Sequence, residues 1–257
     1  MKENSLSADL ITNNLETRFV GKRVIYYPSL ASTNEAAKQE AQQGAAEGTV
    51  VVADEQTAGK GRIKRAWLTP KGNIALSIIL YPPVTYLPNL IIMASLAVVH
   101  SIEAITGLKS QIKWPNDVLI KGRKVCGILI ENKVRGEVVD YSVIGIGINV
   151  NLKLHDFPEI LATATSLSDE LGRDVSCLSL IRRLLAEVES LYSTSADSLY
   201  EEWQDSLVTL GKKVRVKSGE NAYEGIAESV GRDGSLLLRC ADGTLTKIVA
   251  GDVTLRD

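Results

Sequence analysis

The chain has 257 residues, of which 45% are hydrophobic and 23% are charged, so it can form one large domain or a medium domain and a small one. Its net charge of −2 gives no overall positive field, which argues against a nucleic-acid-binding protein. Its three cysteines have no paired spacing, which argues against a disulfide framework or a zinc site and indicates a reducing compartment.

The N-terminal residues predict a short helix rather than a targeting segment. Their apolar residues recur at helical spacing, which indicates an amphipathic helix within residues 6–18. The pattern of a signal peptide does not occur in the sequence, and no apolar run reaches the ~20 residues that span a bilayer. We therefore predict a cytoplasmic protein that makes no membrane contact.

A polar triplet, Ser32, Thr33 and Asn34, lies between a predicted strand at residues 24–27 and a predicted helix at residues 35–43. Ser32 or Thr33 is well placed to cap this helix, because its side-chain oxygen can accept a hydrogen bond from a free backbone N–H group. Capping alone would explain these residues. The pattern by itself does not separate capping from ligand binding.

A basic loop follows the apolar strand predicted at residues 49–53. Four cations fall within the six residues from Lys60 to Arg65, interleaved with glycines. Like charges this close repel one another, which favours an anion that joins them, although a solvated loop can have the same composition. One arginine side chain can donate two parallel hydrogen bonds to the oxygens of a phosphate or carboxylate. Glycine lets backbone N–H groups approach a phosphate closely. The loop is therefore a candidate anion site.

The middle of the chain predicts a sheet beside an apolar helix. A strand is expected at residues 73–80 and a core helix at residues 90–105. Three further strands, at residues 117–120, 123–133 and 138–149, are separated by short turns. Consecutive strands with short turns predict an antiparallel meander.

The last strand of the meander carries two glycines on one face. Its isoleucines alternate with Gly145, Gly147 and Asn149, so the two sets face opposite sides of the sheet. Glycines weaken the interior of a strand, which suggests that something packs closely against this face. A covering helix and a flat ligand would serve equally well, and the sequence leaves both open.

The C-terminal part changes character after two predicted helices at residues 178–192 and 197–207. Short strands separated by glycine-containing turns occupy residues 212–249 and predict a small β-barrel. We expect a catalytic domain over residues 1–209, with a helical segment over residues 1–20, and a second domain over residues 210–257.

Several motifs of the chain, taken together, resemble those of biotin–protein ligases, in the same order and at similar spacing. The basic loop resembles the family's Gly-Arg-Gly-Arg-type loop, although Lys60 replaces its usual arginine and Lys64 replaces a frequent glycine. The other matching motifs are Ser-Thr-Asn at residues 32–34, Lys-Trp-Pro-Asn-Asp at 113–117, the run from Lys124 through Gly127 to Glu131, and Gly-x-Gly-x-Asn at 145–149.

The resemblance implies an α+β fold of the class II synthetase and biotin ligase type. Its catalytic domain is expected to contain a mixed, largely antiparallel sheet flanked by helices, and its C-terminal domain to be a small SH3-like β-barrel. A winged-helix domain, found in ligases that also act as repressors, is not expected, because about twenty residues precede the first predicted strand. We therefore expect no DNA partner.

The resemblance also implies an ATP-dependent biotin–protein ligase. Such an enzyme forms biotinyl-5′-AMP from biotin and ATP with Mg²⁺, and then transfers biotin to a lysine of a biotin carboxyl carrier protein. Lys124 and Arg62 are implied as catalytic residues. The residues implied to bind biotin are Ser32, Thr33, Asn34, Gln56, Lys60, Gly61, Arg62, Lys124, Gly127, Gly145 and Gly147. The residues implied to bind ATP are Arg62, Arg65, Trp67, Asp117, Lys124 and Asn149.

Two other functions are alternatives. A lipoate or octanoate transferase shares the catalytic fold, but it would need a wider apolar channel and it lacks this glycine loop. A non-catalytic regulator that binds biotin or DNA is disfavoured by the net acidity and by the presence of Lys124 and Arg62. An edge strand of the meander could pair across a two-fold axis, which favours a homodimer.

Overall fold

The computed structural model describes residues 6–255, so residues 1–5 of the expected N-terminal segment lie outside the described part. One sheet is formed by β1 (Val24–Tyr27), β2 (Val50–Ala53), β3 (Ile74–Leu80), β4 (Gln111–Lys113), β5 (Asp117–Ile120), β6 (Arg123–Arg135) and β7 (Val138–Ile148). The α-helices are α1 (Ala8–Thr12), α2 (Thr33–Gln42), α3 (Asn89–Thr106), α4 (Leu167–Leu171), α5 (Cys177–Tyr192) and α6 (Ala196–Ser206).

The strands of this sheet lie in the order β1-β2-β3-β7-β6-β5-β4. β1 and β2 are parallel, and α2 makes the crossover that a parallel pair requires. The described neighbours in the rest of the sheet are antiparallel, and β5, β6 and β7 form the expected meander. The mixed, largely antiparallel sheet flanked by helices is therefore confirmed.

The core lies on the face of the sheet that α3 covers. α3 is long and apolar enough to cross a membrane by length and composition, but 61% of it is buried inside the fold. It packs against α5, α6 and the sheet, and Ile92 and Met93 are fully buried, as expected for a core helix. Gly107 ends it in the left-handed conformation, with φ of 73°, which glycine adopts at little cost.

A second sheet occupies the C-terminal part of the chain. It contains β8 (Lys213–Ser218), β9 (Asn221–Val230), β10 (Leu236–Cys240), β11 (Leu245–Ile248) and β12 (Asp252–Leu255), in the order β11-β10-β9-β8-β12. The described pairs are all antiparallel, which confirms the predicted all-β module. The sequence pattern does not predict β12, which returns to pair with β8.

The expected helix within residues 6–18 is shorter in the structure. α1 ends at Thr12, and Asn14 follows it with φ of 59°, a left-handed conformation that asparagine tolerates and a helix interior does not. The chain then turns, and the backbone N–H groups of Arg18, Phe19 and Val20 donate to the carboxylate of Glu189 on α5 at 2.6–3.0 Å. This turn ties the N-terminal segment to the core.

Candidate active site

The site is built on one row of residues that crosses the sheet. Residues paired across neighbouring strands point to the same face. The register places six such residues in line, on the face opposite the core isoleucines: Ala53, Ala75, Gly147, Gly127, Asp117 and Lys113. The row therefore begins small and apolar, passes over two glycines and ends in two charged side chains.

The N-terminus of α2 projects over this face. Ser32 is the N-cap residue, but its side chain makes no capping hydrogen bond, so capping does not account for it. The backbone N–H and the hydroxyl of Thr33 both donate to Oε1 of Gln56, at 2.8 and 3.1 Å. The Gln56 amide in turn donates to the Thr69 hydroxyl at 3.2 Å. The triplet and Gln56 thus form one polar wall of the site, in which hydrogen bonds join Thr33 to Gln56.

Asn34 covers one of the two glycines of β7. A Cβ added to Gly145 would overlap the Asn34 amide. The Ser77 hydroxyl donates to Asn34 Oδ1 at 2.6 Å, and Asn34 Nδ2 donates to the Glu131 carboxylate at 2.8 Å. The Asn34 amide is buried and held in one orientation by these partners.

The basic loop folds back on itself as a tight hairpin. The Trp67 N–H donates to the Gly59 carbonyl at 2.9 Å, and the Gly61 N–H donates to the Arg65 carbonyl at 2.7 Å. A Cβ on Gly59 would overlap the Trp67 carbonyl, so the close approach requires glycine there. Ile63 at the tip has φ of 52°, which is strained for a β-branched residue.

Three cations of this loop, Lys60, Arg62 and Arg65, contact protein groups in the structure. Lys60 Nζ lies 2.6 Å from the Glu35 carboxylate, and Arg65 pairs with Asp252 of β12. Arg62 donates to Asn116 Oδ1 at 2.8 Å and to the Gly251 carbonyl at 3.2 Å. These partners offset the repulsion among the three cations that favoured a bound anion in the sequence analysis, and anion binding by the loop stays a prediction.

The Arg62 side chain is partly buried in the site. Burial lowers the pKa of the Arg62 guanidinium, and nearby Arg65 acts in the same direction, whereas Asp252 and Asp117 oppose the shift. An arginine remains charged even so, because its ordinary pKa lies far above neutral pH. Arg62 is therefore a desolvated cation with neutral hydrogen-bond partners, which suits it to bind an anion.

Lys124 lies at the centre of the site. It is at the end of the surface formed by Gly127, Gly145 and Gly147, which we call the glycine floor. Its Nζ is 2.6 Å from the Asp117 carboxylate and 5.2 Å from the centroid of the Trp67 ring. Its side chain also borders Gly127, where an added Cβ would come within 3.2 Å of it. The ammonium is thus fixed by one carboxylate and one aromatic face.

Two cavities meet at Lys124. The smaller has a volume of about 120 Å³, and its lining includes every residue that the resemblance implies for biotin: Ser32, Thr33, Asn34, Gln56, Lys60, Gly61, Arg62, Lys124, Gly127, Gly145 and Gly147. The larger, of about 600 Å³, is lined by five of the six residues that the resemblance implies for ATP: Arg65, Trp67, Asp117, Lys124 and Asn149. The sixth, Arg62, lines the smaller cavity instead. The structure therefore places the residues implied for biotin next to those implied for ATP.

Several lining residues were missed by the sequence reasoning. Lys113 and Asn116 belong to the motif at residues 113–117, so their position in it was a signal that could have been used. Ala75 pairs with Gly147, and only the strand register reveals it. Asp252 comes from β12, far along the chain, and no local pattern indicates it.

Residues 6–255 contain no group of three or more His, Cys, Asp or Glu side chains that could hold a metal ion. His100, one of the two histidines, lies away from both cavities and contacts the carboxylates of Glu187 and Glu202, at 3.2 and 2.5 Å. The described residues therefore offer no resident metal centre of this kind.

Comparison with known proteins points to one family. The biotin/lipoate A/B protein ligase family matches residues 26–149, and the biotin protein ligase C-terminal domain matches residues 209–256. The bifunctional ligase/repressor BirA of Bacillus subtilis is 37% identical over 99% of this chain and 80% of its own length. The biotin–[acetyl-CoA-carboxylase] ligase of Mycobacterium tuberculosis is 33% identical over 80% of this chain and 79% of its own length.

Solved structures agree with this result. Biotin protein ligase from Aquifex aeolicus in complex with biotin and ATP is 28% identical, with a TM-score of 0.73. The match covers 91% of this chain and 99% of the Aquifex chain. The similarity therefore extends over both sheets.

Proposed function

Because the chain belongs to the biotin/lipoate A/B protein ligase family, we propose that its two cavities hold biotin and ATP for a biotin–protein ligase reaction. The observation that carries this proposal is the position of Lys124 where the two cavities meet, at the end of the glycine floor. One cavity suits a small flat ligand, and the other has the size of a nucleotide site.

The first step joins two anions. An oxygen of the biotin carboxylate attacks the α-phosphorus of ATP, the bond from that phosphorus to the bridging oxygen breaks, and pyrophosphate leaves with biotinyl-5′-AMP remaining. Negative charge accumulates where the reactants meet, so fixed cations accelerate the reaction. We assign this role to Lys124, because Asp117 and Trp67 hold its ammonium in place, and to Arg62.

The second step forms the amide. The amine of a carrier lysine attacks the acyl carbon of biotinyl-5′-AMP, the bond to the phosphate oxygen breaks, AMP leaves and the nitrogen loses a proton. Holding the two reactants together supplies much of the acceleration in such a step. We assign Arg62 to the retention of the intermediate, because its partly buried guanidinium is already held beside the site by hydrogen bonds to Asn116 and the Gly251 carbonyl.

The remaining assignments follow the lining of the cavities. Biotin is assigned to the polar wall of Ser32, Thr33, Asn34 and Gln56, to Lys60 and Gly61, and to the floor of Gly127, Gly145 and Gly147. The nucleotide is assigned to Arg65, Trp67, Asp117 and Asn149. Mg²⁺ enters with ATP and is held by phosphates and water, a usual arrangement for this ion in the absence of a protein cage.

The partner and organisation are also part of the proposal. The acceptor is a biotin carboxyl carrier domain of a carboxylase, and the enzyme acts in the cytoplasm without a membrane or DNA partner. We place the domain boundary between residues 209 and 210, just before the second sheet begins. The expected contact through an edge strand of the meander does not fit the sheet, because β5 pairs with β4 and β7 pairs with β3, so both outer strands of the meander lie inside it. A homodimer through one of the actual edge strands, β1 or β4, is therefore the assembly proposed here.

Pyrophosphate release tests the proposal. Purified protein should release pyrophosphate from ATP when biotin is present, and octanoate or lipoate should not replace biotin. Release with octanoate or lipoate but not biotin would favour a lipoate-type enzyme. Biotin binding without pyrophosphate release would favour a non-catalytic regulator.

A further inference from the structure

Lys113 is the charged residue at the end of the cross-sheet row, and it takes no part in the bond making of the two proposed steps of the reaction. It is the last residue of β4, at the edge of the sheet, and it is paired in register with Asp117. Its side chain is partly buried and lines the larger cavity. It therefore faces the same space as Lys124 and Arg65.

Lys113 differs from the other described cations around the two cavities in having no ion pair and no hydrogen bond to the protein. Lys60, Arg65 and Lys124 each lie against a carboxylate, and Arg62 donates hydrogen bonds to Asn116 and Gly251. Among the described residues, Lys113 makes neither an ion pair nor a side-chain hydrogen bond. Partial burial of an ammonium without an ion-pair or hydrogen-bond partner is unfavourable, and an anion bound in the cavity would compensate for the lost hydration.

The electrostatics around Lys113 agree with this geometry. Burial lowers the pKa of the Lys113 ammonium, Lys124 and Arg65 lower it further, and Asp117 and Asp252 oppose them. The lowering is therefore caused by lost solvation and by neighbouring cations. A polyanion would relieve both effects at once, because its charge would face three cations together.

The row also fixes which part of a ligand reaches Lys113. Neighbouring strands lie about 4.8 Å apart, so Lys113 is roughly 10 Å from Gly127 and one strand beyond Asp117. A ligand whose acyl chain lies on the glycine floor meets Lys124 first, at its carboxylate and the α-phosphate. Lys113 lies farther along the same line, where the phosphates beyond the α-phosphate would extend.

We infer that Lys113 binds the β- and γ-phosphates of ATP and the pyrophosphate that leaves in the adenylation step. This inference rests on the proposed ligase reaction and adds a binding residue to it. One charge-assisted hydrogen bond lost from a phosphate typically changes affinity about tenfold to more than a hundredfold.

The test compares Lys113→Met, which removes the charge, with Lys113→Arg, which keeps it, and with Lys109→Met as a control. Lys109 is exposed and pairs with Glu103 away from both cavities. Initial rates of biotin-dependent pyrophosphate release are measured over a range of ATP concentrations. Transfer of biotin to a carrier domain is measured separately from supplied biotinyl-5′-AMP.

Lys113→Met should raise the KM for ATP about tenfold or more and weaken pyrophosphate binding measured by calorimetry. The KM for biotin and the rate of transfer from supplied adenylate should stay within about twofold of wild type, and Lys113→Arg should recover most of the ATP affinity. An unchanged KM for ATP in Lys113→Met would overturn the inference. Slower transfer with normal ATP affinity would also overturn it, and would place Lys113 in the second step. Wild-type protein that released no pyrophosphate would overturn the ligase proposal, and this inference with it.

Discussion

The indole of Trp67 lies directly on the backbone of Gly147, so closely that a Cβ at residue 147 would overlap the indole nitrogen. The same ring borders Gly127 on the neighbouring strand, where an added Cβ would lie 3.1 Å from it. In this structure Trp67 therefore covers part of the glycine floor assigned to biotin. Biotin can occupy that part of the floor only if the ring moves, which links ligand binding to the basic loop that ends at Trp67.

Gly147→Ala should weaken biotin binding by about tenfold or more. The added methyl group overpacks the floor, and overpacking in a close-packed site typically costs about 1–3 kcal/mol. Calorimetry with biotin measures the change. Ser142→Ala, on the same strand but outside both cavities, is the matched control and should bind biotin normally. Normal affinity in Gly147→Ala would show that biotin does not use this floor.

Lys124→Ala should slow adenylate formation by about a hundredfold to a thousandfold. Removal of one preorganised charged donor at developing negative charge typically costs about 3–4 kcal/mol in the transition state. Single-turnover formation of biotinyl-5′-AMP measures the effect. Lys133→Ala, an exposed lysine on the same strand, should retain the wild-type rate. A Lys124→Ala protein that forms adenylate normally would remove Lys124 from the mechanism.

Arg62→Gly should release the intermediate without abolishing its formation. The substitution removes the contacts to Asn116 and Gly251 and the cation expected to hold the adenylate, while Lys124 remains. Escaped biotinyl-5′-AMP would react with any nearby lysine, so biotin should appear on an added bystander protein. Arg135→Gly, at an exposed hairpin, should label only the carrier. Loss of all activity without bystander labelling would contradict the retention role and leave Arg62 with a role in adenylate formation alone.

Glu189→Gln should lower the free energy of unfolding by about 2 kcal/mol near pH 7. This is the typical net stabilisation from a hydrogen bond to a charged group. Although burial raises the pKa of Glu189, the N–H donors of Phe19, Arg18 and Val20 hold it below its usual range. A carboxylate with a lowered folded-state pKa stabilises the fold above its unfolded pKa, and this contribution is lost as pH falls through the folded value.

Urea unfolding at several pH values measures this effect. The difference in unfolding free energy between wild type and Glu189→Gln should shrink as the solution is acidified. Glu201→Gln, an exposed substitution on α6, should match wild type throughout. A difference that stayed constant down to acid pH would contradict the assigned role of the Glu189 charge.

Local sequence patterns predicted the floor of the site but not its cover. The period of two in β7 placed Gly145 and Gly147 on one face, and this follows from strand geometry alone. It could not show that Asn34 and Trp67 cover them, because these contacts depend on how α2 and the loop return to the sheet.

The pairing of the loop cations could not be predicted for the same reason. Lys60 pairs with Glu35 from an earlier helix, and Arg65 pairs with Asp252 from β12 near the other end of the chain. Charge spacing reports only the repulsion within the loop, whereas the partners come from tertiary structure. Lys113 is the opposite case, a cation without such a partner. Its motif was recognised in the sequence, but only the structure shows that its ammonium makes no ion pair or hydrogen bond to the described residues.

The most direct test of the account is the covalent state of a carrier domain after incubation with this protein, biotin and ATP. Intact-mass spectrometry should show the addition of one biotin per carrier, and peptide mapping should place it on a single lysine, with equal amounts of AMP and pyrophosphate released. Omitting ATP should abolish the modification. A carrier that stays unmodified while biotin and ATP are both bound, or one that takes up biotin without ATP, would contradict the ligase mechanism.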